Sequence, residues 1–323
     1  MKKALVVGIN FYQNAGHLYG CVNDAYAVSQ VLERHMDGQL NFDVKHVTAL
    51  DQTTAVSRKQ LKDDIIELFA DDSEIALLYF AGHGHVEDSG GYLVTSECAN
   101  GDDGLPLDEV LKFANDSKAK NKILILDSCY SGAAGTLKSL GDKALLSEGM
   151  TILTASSKDQ YAQEDNGSGV FTSLFVDALN GGAANLLGDI TPGSIYAHID
   201  QSLGAWEQRP IFKTNVKAFT SLRKVAPPIQ LSDLKQITAL FKTPSYEFPL
   251  DPSFEPQPPA PNHGIVPDPA NNIKFAILQK LNRLNLVKPV GEDHMYFAAM
   301  NSKPCRLTVL GEHYWKLINK GRI

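Results

Sequence analysis

Cysteine is scarce and scattered in this chain. Its four residues stand at Cys21, Cys98, Cys129 and Cys305, no two of them form a Cys-x-x-Cys pair, and the histidines show no cluster at metal-ligand spacing. That excludes a disulfide framework and a structural zinc site, and the setting expected is a reducing, cytoplasmic one. Long apolar runs are missing too, and no stretch approaches the roughly 18 apolar residues that a membrane-spanning helix needs. The opening Met1-Lys2-Lys3 has the charge of a secretory leader, but the apolar run behind it stops at Asn10 and no cleavage site follows, so no leader is expected. With 43% apolar residues against 21% charged ones, disorder over most of the chain is excluded.

Proline is sparing except in one place: eleven of the sixteen prolines lie between Pro227 and Pro269. A segment so rich in proline is expected to carry neither helix nor central strand, and residues 224–272 read as an extended connector. The formal charge of −7 is also uneven, because residues 273–323 hold nine Lys and Arg against three acids. Two differently charged modules, 1–223 and 273–323, are therefore expected on either side of the connector.

In the first 223 residues, short β-branched runs alternate with helical patterns, the signature of βαβ units around a mainly parallel sheet. Six strands are expected, at Lys3–Asn10, Asp43–Leu50, Glu74–Ala81, Lys122–Asp127, Met150–Ala155 and Arg209–Thr214. Helices are expected at Asn23–Met36, Arg58–Phe69, Leu107–Asn115, Val170–Leu179 and Gly193–Leu203, where apolar residues recur every three or four positions. The unbroken runs Ala76–Phe80 and Ile123–Leu126 mark central strands covered on both faces, and ligands of such sheets bind beyond the carboxyl ends of the strands.

Two motifs stand at those ends. Ala81-Gly82-His83-Gly84-His85 follows the third strand and Asp127-Ser128-Cys129-Tyr130-Ser131-Gly132 follows the fourth. Alone, a cysteine at a strand end reads as packing and a histidine between glycines as a polar loop residue. Together, with His83 46 residues upstream of Cys129, they read as a thiol nucleophile and the imidazole that moves its protons. His85 is the competing imidazole.

Residues 1–223 resemble the caspase-like cysteine peptidases, and among them the metacaspase branch, including its bacterial members. The resemblance rests on Val7-Gly8-Ile9-Asn10, Leu18-Tyr19-Gly20-Cys21-Val22-Asn23-Asp24-Ala25, Tyr79-Phe80-Ala81-Gly82-His83-Gly84 and Leu126-Asp127-Ser128-Cys129-Tyr130-Ser131-Gly132. A fifth piece, Asp159-Gln160-x-Ala162-x-Glu164 followed by Gly169-Val170-Phe171-Thr172, completes it. The resemblance implies a caspase-like α/β fold with a six-stranded sheet between two helical layers. It also selects His83 over His85 as the partner of Cys129. It implies that the backbone amides of Gly84 and Cys129 stabilise the oxyanion, and that Asp24 and Asp127, with Cys21 beside them, form an acidic pocket for an Arg or Lys before the scissile bond. Related enzymes are cut in the loop after the nucleophile, so Lys138 and Lys143, between Gly132 and Gly149, are the expected self-cleavage positions. The expected partners are protein or peptide substrates.

The chain departs from the branch at two points. Ala81 stands where a serine often precedes the Gly-His. Metacaspases commonly take calcium through a cluster of aspartates, and only Asp102-Asp103 stands in a comparable place here. No cofactor and no obligatory metal is expected. Two other readings compete: a regulator acting through its C-terminal module with the first region as scaffold, and another thiol hydrolase of separase-like or gingipain-like type. The complete dyad speaks against the former, and the details around Asp24 and Asp127 against the latter.

Residues 273–323 read as a helix over Ile273–Asn285, a β-hairpin turning across Asn301–Pro304 between Met295–Met300 and Arg306–Leu310, and a last helix over Glu312–Asn319. This resembles a small α+β winged helix, for which Leu231–Phe241 is the one candidate first helix. Recruitment of a regulatory partner or autoregulation is the expected role, ahead of nucleic-acid binding, because the basic residues are spread along the segment and not gathered on one helix.

Overall fold

The computed structural model describes residues 1–87, 90–128, 145–155, 164–165, 168–204, 209–257 and 266–323. These fall into two compact units, Met1–Ala226 and Pro227–Ile323.

In chain order the first unit contains β1 (Lys2–Ile9), α1 (Cys21–Glu33), β2 (Asp43–Ala49), α2 (Arg58–Phe69), β3 (Ile75–Ala81), β4 (Gly84–Glu87), β5 (Gly90–Leu93), β6 (Leu105–Pro106) and α3 (Leu107–Asp116). There follow β7 (Asn121–Asp127), β8 (Met150–Thr154), β9 (Glu164–Asp165), β10 (Ser168–Gly169), α4 (Val170–Asp177), β11 (Asp189–Ile190), α5 (Pro192–Ser202), β12 (Ile211–Asn215) and β13 (Arg223–Lys224). The six strands expected from the sequence form one sheet in the order β12-β8-β7-β3-β1-β2. All its pairings are parallel except that of β12 with β8.

Side-chain alternation splits the core between the two faces of the sheet. Ala76, Leu78 and Phe80 of β3 join Leu61 and Ile65 of α2 and Val110 of α3 in one cluster. Ile75, Leu77 and Tyr79 join Val28 of α1, Phe175 of α4 and Ile195 of α5 in the other. Every residue of β3 is buried, as its lack of polar alternation implies for a strand covered on both sides. Local signals fix the helix starts: the Ser57 side chain accepts from the Gln60 amide ahead of α2, and Thr191 forms a capping box before Pro192 at the first turn of α5. Beyond the expected elements, β4, β5 and β6 make a small three-stranded sheet that leaves the end of β3.

The second unit corrects two expectations. Of the connector expected over 224–272, the described residues 227–257 and 266–272 belong to a folded body, which contains α6 (Leu231–Leu240), α7 (Pro269–Arg283), β14 (Val287–Pro289), α8 (Met295–Met300), β15 (Cys305–Leu307) and α9 (Val309–Asn319). Among the described residues its prolines do not interrupt the helices. Pro269 occupies the first turn of α7 behind the capping Asp268, and Pro252 does the same in a short 3-10 turn behind Asp251. Phe241, Phe248, Phe254 and Phe275 pack one against the next, tilted or edge to face, with centroids 6.0, 5.8 and 6.3 Å apart, to form a small aromatic core.

The hairpin expected across Asn301–Pro304 is also absent. Met295–Met300 is helical, because Met and Ala are strong helix formers and the buried Met295, Ala298 and Ala299 recur at helical spacing. The strand Cys305–Leu307 pairs instead with Val287–Pro289, antiparallel. The final helix forms as expected, capped by Thr308, whose hydroxyl accepts from the Gly311 amide at 3.0 Å. Among the described residues no helix is long and apolar enough to cross a membrane.

Candidate active site

The register of the two central strands positions the site. Ala81, the last residue of β3, lies opposite Asp127, the last residue of β7, and the amide of Gly82 donates to the carbonyl of Asp127 at 3.3 Å. Both motifs therefore leave the sheet side by side at its carboxyl edge, His83 two positions beyond one strand end and Cys129 two positions beyond the other in the chain. Cys129 itself, and Lys138 and Lys143 after it, lie outside the described residues, as do residues 159–163 of the fifth motif.

His83 is held at four points. Its amide donates to the Tyr12 hydroxyl at 2.7 Å, its carbonyl accepts from the Val94 amide at 3.0 Å, and its ring lies 4.5 Å from the Tyr12 ring, centroid to centroid. The fourth contact joins imidazole Nε2 to the Gly16 carbonyl at 2.8 Å. A carbonyl only accepts, so the bond assigns the proton to Nε2 and leaves the Nδ1 lone pair as the basic position of the neutral ring. Gly82 permits the arrangement, since a Cβ there would stand 2.6 Å from the Tyr12 hydroxyl.

His85 faces elsewhere. It belongs to β4, pairs in register with Tyr92 and packs against the backbone of Gly101, where a Cβ would lie 2.1 Å from its Cγ. Gly84, the expected oxyanion donor, opens β4 opposite Leu93.

The two expected pocket carboxylates are brought together from distant parts of the chain. Asp24, in the first turn of α1, is 3% exposed and Asp127 is 7% exposed. Both bracket the backbone of Gly169: its amide donates to Asp24 Oδ2 at 3.0 Å, and a Cβ built on it would lie 2.7 Å from Asp127 Oδ2 and 3.3 Å from Asp24 Oδ2. The Thr172 hydroxyl donates to Asp127 Oδ2 at 2.5 Å. Cys21, expected beside this pair, opens α1 and is buried. The helix start is fixed by Asn10, whose Oδ1 accepts from the Val22 amide at 3.2 Å.

Two buried carboxylates on one small stretch of backbone, next to the strand ends that carry a His-Gly and an Asp-Ser-Cys motif, are a constellation that comparison can place. Residues 1–224 match the caspase domain family of peptidases. The chain belongs to the caspase domain family. It is 30% identical over 86 residues to Metacaspase-1 of Schizosaccharomyces pombe, and 33% identical over 89 residues to Metacaspase-1 of Scheffersomyces stipitis. Each match takes in 26% of this chain and only about a fifth of the relative, 20% and 21% respectively. The fold is shared more widely. Caspase-1 of Spodoptera frugiperda superposes with a TM-score of 0.50 at 12% identity, over 69% of this chain and 90% of that one. Protein GSU0716 of Geobacter sulfurreducens superposes with 0.52 at 16% identity, over 70% of this chain and 100% of that one.

The caspase domain adds residues that the sequence does not single out. Tyr12 and Gly16 come from the loop between β1 and α1, which has no periodicity, and Gly16 contributes only a carbonyl. Thr172 and Gly169 stand within one of the five motifs, but nothing in the spacing ties them to Asp24 and Asp127. The three described cysteines, Cys21, Cys98 and Cys305, are all buried, and burial pushes the Cys305 thiol up to about 12, far from a nucleophile's range. Among the described residues no three His, Cys, Asp or Glu side chains gather as a metal site.

Proposed function

We propose that this caspase-domain protein is a cysteine endopeptidase that uses His83 and Cys129 to cleave peptide bonds after Arg or Lys. The observation that carries the reading is the pairing of Ala81 with Asp127, because it starts both motifs from adjacent points of one sheet edge. In this reading the Cys129 thiol gives its proton to Nδ1 of His83, the resulting thiolate attacks the scissile carbonyl carbon, and the amides of Gly84 and Cys129 take the charge that develops on oxygen. Collapse of the tetrahedral adduct breaks the C–N bond, and the departing amine takes a proton delivered by the His83 imidazole. Water then attacks the thioester, its proton passes to the imidazole, and the thiolate is released. With Nε2–H engaged by Gly16, Nδ1 is the nitrogen that exchanges these protons.

The preference for a cation is supported by Asp24 and Asp127. Two carboxylates so little exposed and so close to one backbone amide repel each other when both are ionised, and an incoming guanidinium or ammonium relieves that repulsion. An aspartate side chain at the same place would add a third negative charge. The test is a panel of fluorogenic peptides that differ only in the residue before the leaving group: Arg, Lys or Asp. Turnover after Arg and Lys, lost in Cys129→Ala, is the expected result; turnover only after Asp would overturn the specificity.

The same specificity extends to the enzyme itself. Lys138 and Lys143 lie nine and fourteen residues beyond the nucleophile in the chain. Incubated wild type is expected to yield fragments ending at Lys138 or Lys143 that are absent from Cys129→Ala. Intact-mass analysis of the two proteins checks it, and an active enzyme that stays whole would contradict it.

A further inference from the structure

Asp127 is reached from beneath by two hydroxyls in series. Thr172 Oγ1 lies 2.5 Å from Asp127 Oδ2 and donates to it, and the Tyr79 hydroxyl lies 2.6 Å from the same Thr172 Oγ1. Thr172 has one proton, and the carboxylate takes it, so the second bond runs from the Tyr79 phenol to Thr172. Tyr79 is wholly buried in the centre of β3, and Thr172, on the first turns of α4, is 1% exposed. Burial first, then the fields of Asp127 and Asp24, raise the Tyr79 phenol well above its usual range, so its proton is in place at any working pH. The order Tyr79, Thr172, Asp127 therefore has a fixed direction, with each donor committed.

Neither hydroxyl touches solvent, and neither is among the groups that do the chemistry in the reading above. Their geometry acts on one oxygen of one carboxylate. A carboxylate bonded at Oδ2 by a buried hydroxyl is fixed in rotation about its Cβ–Cγ bond. The arrangement on Asp24 is parallel, because the Gly169 amide at the start of the same helix bonds its Oδ2. Helix α4 and the capping residue just ahead of it thus supply a donor to each member of the pair.

We infer that Thr172, backed by Tyr79, is a positioning residue for recognition of the cationic side chain, which it serves by orienting Asp127. The inference rests on the proposed preference for Arg or Lys. It separates binding of the charge from the bond-breaking steps: without the hydroxyl, Asp127 Oδ2 loses a buried donor and the guanidinium loses the alignment that donor gives, while the His83 imidazole keeps its contacts to Tyr12 and Gly16. A hydrogen bond to a charged acceptor is worth about ten- to hundredfold in an equilibrium constant, which bounds what its loss can do to recognition of the cation.

The test compares wild type, Thr172→Val, Thr172→Ser and Tyr79→Phe on two peptides that differ only in Arg or its neutral isostere citrulline before the leaving group, with thermal melts run in parallel. In wild type the Arg peptide is expected to be preferred. Thr172→Val should lower that preference about ten- to hundredfold through KM at nearly constant kcat, Thr172→Ser should restore it, and Tyr79→Phe should lower it by a smaller factor. A Thr172→Val protein that keeps the wild-type Arg-to-citrulline ratio, or loses both substrates equally through kcat, overturns the inference and leaves the specificity standing. If Thr172→Val does not fold, Tyr79→Phe decides, since it removes a single oxygen; an unchanged ratio there overturns the inference as well. A wild type indifferent to Arg and citrulline overturns the specificity itself, and the inference with it.

Discussion

Cys129→Ala is expected to abolish turnover of every peptide substrate, and His83→Ala to lower kcat/KM by about 10²- to 10⁴-fold, the usual contribution of a positioned acid and base. His85→Ala, in contrast, should leave the rate within a few-fold of wild type. The distinction follows from the surroundings of the two rings. His83 is fixed by Tyr12 and Gly16 at the end of β3, where the chain runs parallel to the strand that leads to Cys129, whereas His85 lies on the backbone of Gly101 within the small sheet β4-β5-β6. Steady-state kinetics on the three variants, with circular dichroism to establish folding, checks the assignment. Equal inactivation by His83→Ala and His85→Ala in folded proteins would contradict it.

Neutralising either buried carboxylate, Asp24 or Asp127, is expected to cost nearly as much. Asp24→Asn and Asp127→Asn should each lower kcat/KM on Arg peptides by about 10²- to 10³-fold, the range for removing one partner of a buried charge pair. Citrulline peptides should fall much less. Asparagine keeps the shape and retains an acceptor oxygen, so the Gly169 amide and the Thr172 hydroxyl still find partners and the caspase domain is expected to fold. If Arg and citrulline peptides lost rate in parallel, the carboxylates would be holding the scaffold together and not reading charge. Gly169 offers a steric version of the same experiment, since any side chain there enters the space of both carboxylates.

The sheet is legible because its strands say what covers them. Ile75–Ala81 and Asn121–Asp127 carry unbroken apolar runs, and a strand buried on both faces needs no alternation. The small sheet β4-β5-β6 is not, because four residues such as Gly84–Glu87 or Gly90–Leu93 are too few to display a period and glycine masks what remains. In the second unit a proline count does not stand in for proline placement. Pro252 and Pro269 begin turns and helices, which a composition argument cannot distinguish from an extended chain. Met295–Met300 reads as a strand from its aromatic and apolar content, although its buried positions follow helical spacing.

The site divides in the same way. His83, Cys129, Asp24 and Asp127 are chemically distinctive residues in recognisable motifs. The groups that orient them are a carbonyl at Gly16, an amide at Gly169 and hydroxyls at Tyr12, Thr172 and Tyr79. Backbone groups are present at every position and hydroxyls are common, so no spacing announces them. Only the folded chain brings Thr172 to Asp127 or Tyr12 to His83.

Peptide mapping by mass spectrometry after treatment with peptidyl chloromethyl ketones that end in Arg or in Asp tests nucleophile and specificity together. A thiolate displaces chloride from such a reagent and keeps the peptide as a thioether, so the adduct marks both the nucleophile and the side chain that guided the reagent. One adduct is expected, on the fragment that contains Cys129, formed by the Arg reagent and not by the Asp reagent. An adduct on Cys21, Cys98 or Cys305 in place of Cys129, or labelling of Cys129 by the Asp reagent alone, would contradict it.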